Sequence, residues 1–168
     1  MIVVLDALRS AHNVGSIFRT ADALGINKIY LCGSTPTPLD RFGRPVARLT
    51  KVALGAEKTV PWKHCKSIGP LLSRLKKEGF SLLALEQSPG AQYLNSVHLS
   101  KRRLNYTALL LGRETIGLSK RLLRFVDEVI EIPQIGTKES LNVAVAFGIA
   151  AFWLTHQKES RHTKRVAG

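Results

Sequence analysis

The sequence predicts an α/β domain with a mainly parallel sheet and helices on both of its faces. Short apolar runs of strand length alternate with segments whose apolar residues recur at helical spacing. Most of these runs end at a polar, glycine or proline residue, where a strand gives way to a loop. The chain of 168 residues is long enough for one domain with a substantial core. We assign residues 1–157 to this domain and expect the basic residues 158–168 to form a flexible tail.

The amino-terminal half predicts two buried strands with a helix between them. Residues 2–5 and 28–32 are the strands, and the first of them ends at Asp6. The helix is expected to begin with His12 or Asn13 as its cap and to end at Gly25. Residues 39–56 are basic, predict at most two helical turns at 49–54, and are expected to form a mobile flap that faces RNA.

The carboxyl-terminal half predicts three more strands, each followed by a polar or glycine-bearing loop. A helix at 67–79 leads into a strand at 80–85, and further strands lie at 106–111 and 128–132. After Pro133, a loop at 134–139 opens a helix whose first turn is expected to carry Ser140 and Asn142. Because the carboxyl ends of parallel strands meet at one edge of a sheet, we expect these loops to converge on one site.

Two common nucleotide signatures are absent from this predicted site. Gly112 and Gly117 have the outer spacing of a phosphate-binding loop, but Leu118 stands where that loop requires lysine. No Gly-x-Gly-x-x-Gly follows the first strand. Glu86, at the end of its strand, is a candidate for binding a ligand hydroxyl, and the alternative is an exposed loop acid.

The charge of the chain favours a polyanionic partner. The formal net charge is +13, from 25 basic and 12 acidic side chains, and the basic residues are clustered. A basic, well-solvated surface is the alternative, but such clusters are more typical of nucleic-acid binding. The main groups are Arg41, Arg44, Arg48 and Lys51; Lys101, Arg102 and Arg103; and Lys120, Arg121 and Arg124.

The remaining composition predicts a soluble, cytoplasmic protein without a metal. Cys32 and Cys65 are too few for a disulfide framework, and no histidine lies at metal-ligand spacing from them, so both are expected to be reduced thiols. Met1 to Leu5 meets a charge at Asp6, so no secretory signal is expected. The longest apolar run, residues 141–154, is too short to span a bilayer.

Three motifs in the order of the chain resemble those of the SpoU (TrmH-type) branch of the SPOUT RNA methyltransferases. Any one of them alone would be a weak signal, but together they extend over residues 13–144. They read Asn13-x5-Arg19-Thr20-Ala21, Leu111-Gly112-Arg113-Glu114-x2-Gly117, and Ile132-Pro133 followed by Ser140-Leu141-Asn142-Val143-Ala144.

The resemblance implies a fold, a reaction and an assembly. It implies a deep trefoil knot in the carboxyl-terminal part, an exception to the rule that chains do not thread loops. It also implies a homodimer that transfers a methyl group from S-adenosylmethionine to a ribose 2′-hydroxyl of RNA, with tRNA favoured over rRNA. The residues expected to bind S-adenosylmethionine are Leu85, Glu86, Gly112, Ile132 and Leu141.

The same resemblance assigns the reaction itself to five residues: Asn13, Arg19, Glu114, Ser140 and Asn142. Arg19 is expected to clamp a phosphate and so to lower the pKa of the hydroxyl, since a guanidinium is too basic to remove its proton. Glu114 is expected to position Arg19 or Asn13. The alternatives are purely structural roles: an intrahelical ion pair between Arg19 and Asp22, a surface acid at 114, and helix capping by Ser140 and Asn142.

The last helix and the motifs leave alternatives for assembly and function. Residues 143–154 are apolar all round the helix, which favours a two-fold dimer interface over burial within a monomer. The first alternative function is a non-catalytic RNA-binding or assembly factor. The presence of the expected residue type at all five motif positions counts against it. The second is an enzyme acting on a small phosphorylated metabolite, which the clustered positive charge disfavours.

Overall fold

The computed structural model describes residues 1–157; the predicted basic tail, 158–168, lies outside the described residues. Within that range the chain forms a sheet of seven strands in the order β3-β2-β1-β6-β4-β7-β5. Every ladder between neighbouring strands is parallel. The predicted α/β class with a parallel sheet is therefore confirmed.

Strands and helices alternate along most of the chain. The strands are β1 (Ile2–Asp6), β2 (Lys28–Cys32), β3 (Trp62–Cys65), β4 (Ser81–Leu85), β5 (Gln92–Tyr93), β6 (Thr107–Leu111) and β7 (Glu128–Glu131). The helices are α1 (Ala11–Ala23), α2 (Ala47–Ala53), α3 (Ala56–Thr59), α4 (Ile68–Lys77), α5 (Lys101–Asn105), α6 (Lys120–Leu123) and α7 (Val143–Thr155).

Alternate residues of the central strands supply two separate cores. Val3 and Leu5 of β1 pack on one face with side chains of α1, α2 and α7. Ile2 and Val4 of the same strand point to the other face, where they meet α4 and the start of the α6 region. Because side chains alternate along a strand, both faces must be covered to bury them. The predicted helices on both faces are confirmed.

Much of the segment at residues 39–56, predicted to be a mobile flap that faces RNA, is helical and packed; that it faces RNA stays a prediction. It contains a bridged turn, in which Leu39 pairs with Pro45, and then α2 and α3. Helix α2 packs so closely on α1 that a Cβ at Gly15 would lie 2.5 Å from the carbonyl oxygen of Leu49. The seven residues of α2 make about two turns, as expected, but the helix begins two residues before the predicted range of 49–54. Helix α2 of this segment therefore packs on α1.

Two helix starts differ from the predictions. Ser10, not His12 or Asn13, caps α1, with its hydroxyl accepting from the backbone N–H of Asn13. Asn142 caps α7, which begins at Val143, so Ser140 lies outside the helix and not in its first turn. In both cases the cap is the residue whose side-chain oxygen reaches a free N–H of the first turn.

Helix α7 buries one face and leaves another uncovered in the single chain. Phe147, Ala150, Ala151 and Leu154 are buried against the sheet and α1. An opposite set of large apolar side chains is exposed by 38–56%: Val145, Ile149, Phe152 and Trp153. Burial within the chain therefore accounts for only part of the apolar surface of α7.

Cys32 and Cys65 are free thiols that lie side by side as register partners of β2 and β3. Burial, together with the neighbouring Cys65 and Asp6, raises the pKa of Cys32 to about 12. Within residues 1–157, no group of three His, Cys, Asp or Glu side chains is arranged to hold a metal ion. No helix in that range combines the length and apolar character needed to cross a bilayer.

Candidate active site

A cavity of about 570 Å³ opens at the carboxyl edge of β4, β6 and β7. This volume lies within the range of ligand sites in proteins. Its walls come from the loops that follow the three strands and from the starts of α1 and α7. Nine of the ten residues predicted for the site line it: Asn13, Leu85, Glu86, Gly112, Glu114, Ile132, Ser140, Leu141 and Asn142. Arg19 is not among the lining residues.

The close approach of two backbone segments shapes this cavity. A Cβ at Gly112 would lie 2.3 Å from the carbonyl carbon of Gly117 and 2.4 Å from the amide nitrogen of Leu118. Gly117 itself has φ +63° and would bring a Cβ to 2.0 Å from a carboxylate oxygen of Glu86. Only glycine permits both approaches. The loop after β6 is therefore folded back on its own strand end.

Glu86 fixes that folded loop from the neighbouring strand. The backbone N–H of Leu118 donates to Oε2 of Glu86 at 2.7 Å, and the N–H of Gln87 donates to Oε1 at 3.2 Å. Both oxygens of the carboxylate thus already accept a hydrogen bond from the backbone. Glu86 is half-buried and holds the loops after β4 and β6 together, and it is not the exposed loop acid of the alternative interpretation.

Glu114 ties the loop after β6 to the loop after β1. The backbone N–H of Ser10 donates to Oε1 at 3.0 Å and that of Arg9 to Oε2 at 3.0 Å. The side-chain amide of Asn13 donates to Oε1 at 3.2 Å. Burial by itself would raise the pKa of Glu114, but these hydrogen bonds outweigh it and hold the pKa below its ordinary value. The carboxylate is therefore ionised at neutral pH.

A chain of side-chain amides continues from Glu114 to the start of α7. Nδ2 of Asn142 donates to Oδ1 of Asn13 at 3.1 Å, while Oδ1 of Asn142 accepts from the backbone N–H of Ala144 at 2.9 Å. Since Asn13 donates to Glu114, the orientation of each amide is set by its neighbour. Residues of three motifs thus form one hydrogen-bonded unit at the mouth of the cavity, in which Asn13 is more than a hundred positions from each of its two partners.

The lowered pKa of Glu114 predicts how stability depends on pH. A carboxylate whose pKa is lower in the folded than in the unfolded chain stabilises the fold at pH values above its ordinary pKa. This stabilisation is lost as the pH falls through the pKa of the folded state. The melting temperature of a Glu114→Gln variant should therefore be lower than that of the native chain at neutral pH. This difference in melting temperature should shrink below about pH 4.5. A difference that stays constant down to acid pH would contradict this.

The chain is similar to a known protein family over most of its length. The family model for the SpoU rRNA Methylase family matches residues 1–152, which is most of the chain. The chain belongs to this family. The match includes all three motifs quoted above, so the resemblance inferred from the sequence is confirmed.

Individual SpoU relatives align over most of this chain. A tRNA (guanosine(18)-2′-O)-methyltransferase from Escherichia coli is 28% identical over 95% of the chain, which spans 65% of that relative. An AdoMet-bound rRNA methyltransferase from Sinorhizobium meliloti has a TM-score of 0.77 at 29% identity, over 90% of this chain and 54% of the other. A structure that concerns the 2-OH methylation of C/U34 on tRNA has a TM-score of 0.72 at 27% identity, over 90% of this chain and 91% of the other.

The position of Arg19 separates it from the other motif residues of this SpoU chain. It lies six residues after Asn13 on α1, about 9 Å along the helix and on a different side of it. Among the described residues, the exposed side chain of Arg19 forms neither a hydrogen bond nor an ion pair. The alternative pair with Asp22 is not formed either, because Asp22 instead accepts from the hydroxyl of Thr59 at 2.6 Å.

The sequence did not indicate the roles of two polar residues, Thr35 and Asp6, which lie at or just after the ends of β2 and β1. Thr35 is 3% exposed, and its hydroxyl lies 2.7 Å from the carbonyl of Cys32 and accepts from the N–H of Leu8 at 3.2 Å, which holds the loop leading to Ser10. Asp6 is half-buried at the end of β1; burial raises its pKa, and the nearby Arg113 opposes that shift. Neither residue belongs to a motif. The one signal in the sequence was that Asp6 is a polar residue directly after an apolar strand.

Proposed function

We propose that this SpoU family chain transfers a methyl group from S-adenosylmethionine to a ribose 2′-hydroxyl of RNA. The observation that carries the proposal is the cavity at the strand ends, with the hydrogen-bonded Glu114, Asn13 and Asn142 at its mouth. The cavity has the size of a ligand site, and hydrogen bonds hold the three polar side chains at its mouth in place. The methyltransferase relatives support the same assignment.

The cavity fits S-adenosylmethionine in size and in the chemistry of its walls. Leu85, Gly112, Ile132 and Leu141 place backbone and apolar groups around it, and Glu86 braces two of the loops. When bound, S-adenosylmethionine supplies a methyl group already activated by its positive sulfur, so the chemistry needs no metal. The chain's task is then to bind and orient the two reactants.

Glu114, Asn13 and Asn142 act as positioning residues on the acceptor side. The carboxylate of Glu114 already receives several N–H groups, and its lowered pKa makes it a poor acceptor for the hydroxyl proton. Its role is to fix Asn13, and through Asn13 the amide of Asn142. Ser140, exposed on the same rim, supplies a hydroxyl that can bind the ribose.

Arg19 requires a second subunit for the role that its motif implies. The exposed face of α7, with Ile149, Phe152 and Trp153, adjoins the cavity, because Ile132 lines both the cavity and the apolar groove along α7. A two-fold dimer through this face buries those side chains and sets α1 of one subunit near the cavity of the other. Arg19 of one subunit then clamps the RNA phosphate beside the hydroxyl held by its partner and lowers the pKa of that hydroxyl, which releases its proton to water as it accepts the methyl group.

The acceptor class is RNA, and we expect tRNA rather than rRNA. A structural relative that this chain covers over 91% of its length concerns methylation on tRNA. The net charge of +13 suits a phosphate backbone. The deep trefoil knot implied by the family is part of the same proposal, since the three loops around the cavity are those that the knot brings together in this family.

The decisive experiment incubates the purified protein with methyl-labelled S-adenosylmethionine and total RNA from cells that lack the gene. Digestion of the RNA should show label on 2′-O-methyl nucleosides, and fractionation should place it in tRNA. Intact donor binding by calorimetry without label on any RNA would contradict the assigned reaction. Absence of donor binding would favour a non-catalytic RNA-binding protein that retains this fold.

Arg19→Ala is expected to lower kcat/KM by about a hundredfold or more, because the transition state loses a charge-assisted contact. Donor affinity should be unchanged, since Arg19 does not line the cavity of its own chain. Mixing Arg19→Ala with Glu114→Ala protein tests the shared site. If Arg19 acts across the dimer, one site in each mixed dimer is complete and about a quarter of the native activity returns. No recovery, or a monomer in sedimentation, would contradict the shared site.

A further inference from the structure

The turn at residues 39–45 is held rigid by one carboxylate. Oδ1 of Asp40 accepts from the backbone N–H of Phe42 at 2.8 Å and from that of Arg44 at 2.9 Å. Oδ2 accepts from Nε and Nη2 of Arg44, both at 2.9 Å. The turn closes where Leu39 pairs with Pro45, and Gly43 permits it with φ +77°. The tip of the turn is thus fixed without contact with the core.

This fixed turn presents an aromatic ring to solvent. Phe42 is 64% exposed, and the guanidinium carbons of Arg41 and Arg44 lie 4.7 Å and 4.9 Å from its ring centroid. The two arginines differ in one respect. Arg44 is held by Asp40, whereas Arg41 makes no ion pair within residues 1–157, so its guanidinium is free to leave the ring.

Local stabilisation alone does not explain Phe42. The clamp by Asp40 uses backbone and arginine groups and would form with any residue except proline at position 42. Exposed cation-π pairs contribute little, and an exposed phenylalanine gains no burial energy from folding. An exposed aromatic ring with guanidinium groups beside it is, by contrast, a suitable surface for the π-face of a nucleobase.

The turn stands on the same edge of the sheet as the candidate active site. It follows β2, which is separated from β6 by β1 alone, or about 10 Å between strand axes. The helix after it, α2, is docked on α1 through the close approach of Leu49 to Gly15, and α1 begins near Asn13. Arg48 and Lys51 are exposed on α2. The strand order and the docking of α2 on α1 thus put the turn on the side of the sheet where the RNA substrate would lie.

We propose that Phe42 is a stacking platform for an unpaired base of the RNA substrate, close to the methylated nucleotide. The base takes the place of Arg41 on the ring, and Arg41 then contacts phosphate together with Arg48. Arg44 stays on the ring because Asp40 holds it. The inference rests on the proposed function for its substrate class, and it adds a residue that selects single-stranded over paired RNA.

The test compares binding of a short single-stranded oligoadenylate with that of an RNA duplex of equal charge. Phe42→Leu keeps the apolar character but removes the ring, and should weaken oligoadenylate binding roughly five- to a hundredfold. Duplex binding should change less than about twofold, and the salt dependence should stay the same because no phosphate contact is lost. Phe125→Leu is the matched control, since Phe125 also has a cation over its ring, Lys76 at 4.8 Å, and should change neither affinity.

A second variant reports the stacking directly. With Trp62 and Trp153 as background, Phe42→Trp should show fluorescence that oligoadenylate quenches and the duplex does not. Arg41→Ala should reduce the salt dependence and leave that quenching in place. Equal losses of single-strand and duplex binding in Phe42→Leu, no loss at all, or a changed oligomeric state would each overturn the proposal.

The outcome is separable from that for the proposed function. If the protein methylates RNA, Phe42→Leu should raise KM for RNA and leave kcat and donor affinity unchanged. Methylation with an unaltered KM refutes the platform while the reaction stands. Native protein that discriminates oligoadenylate through Phe42 but transfers no label refutes the reaction while the platform stands.

Discussion

Gly112→Ala is expected to lower affinity for S-adenosylmethionine at least about a hundredfold, because the new Cβ forces two backbone segments apart. The atoms it would meet, the carbonyl carbon of Gly117 and the amide nitrogen of Leu118, both lie within 2.4 Å and belong to the backbone. Such a shift also breaks the hydrogen bond from the backbone N–H of Leu118 to Glu86. That bond holds the loops after β4 and β6 together. Calorimetry with the donor and thermal unfolding measure the two effects, with about 1–3 kcal/mol expected for stability.

The control for this experiment is Gly69→Ala. Gly69 lies inside α4 and does not adopt a positive φ, and a Cβ added there would meet no atom of another element within 4 Å. Alanine at this position should stabilise the helix by about 0.5–1 kcal/mol and leave donor binding intact. Donor binding by Gly112→Ala within about threefold of native would show that the loop can shift at little cost, and would contradict this account of the cavity.

Asn142→Asp is expected to separate the two roles of Asn142. A carboxylate oxygen can still accept from the N–H of Ala144 and cap α7, and a negative charge at a helix start is favourable. The other oxygen, however, replaces the donor that faces Oδ1 of Asn13 at 3.1 Å. Asn13 cannot turn its amide over without setting its oxygen against Glu114. The melting temperature should therefore change by only about 2 °C, while kcat/KM falls about a hundredfold.

Asn105→Asp supplies the same change of charge away from the site. Asn105 is an exposed residue at the end of α5, so its substitution reports any general loss of RNA affinity from the added negative charge. Equal losses in the two variants would mean that Asn142→Asp acts through charge alone. A large fall in the melting temperature for Asn142→Asp would mean that the amide chain stabilises the fold rather than the reacting geometry.

Much of the fold could be predicted from local sequence patterns. The strand at 28–32 was predicted with its observed bounds, and the alternation of strands and helices indicated a parallel sheet. The short elements β5, α5 and α6 were not predicted, since two to five residues are too few to show a period. Helix starts were displaced by a few residues for a similar reason: several polar residues compete as caps, and side-chain geometry decides among them.

The sequence by itself determined that polar and glycine-bearing loops follow the apolar strands and that the chain carries three SpoU motifs in order. The tertiary structure alone decided how those residues pair: Glu114 with the backbone of Arg9 and Ser10, Asn13 with Asn142, and Gly112 with Gly117. It also set Arg19 outside the cavity of its own chain. Periodicity records which side of an element is buried, whereas hydrogen bonds between residues a hundred positions apart depend on how the strands are ordered and on side-chain orientation.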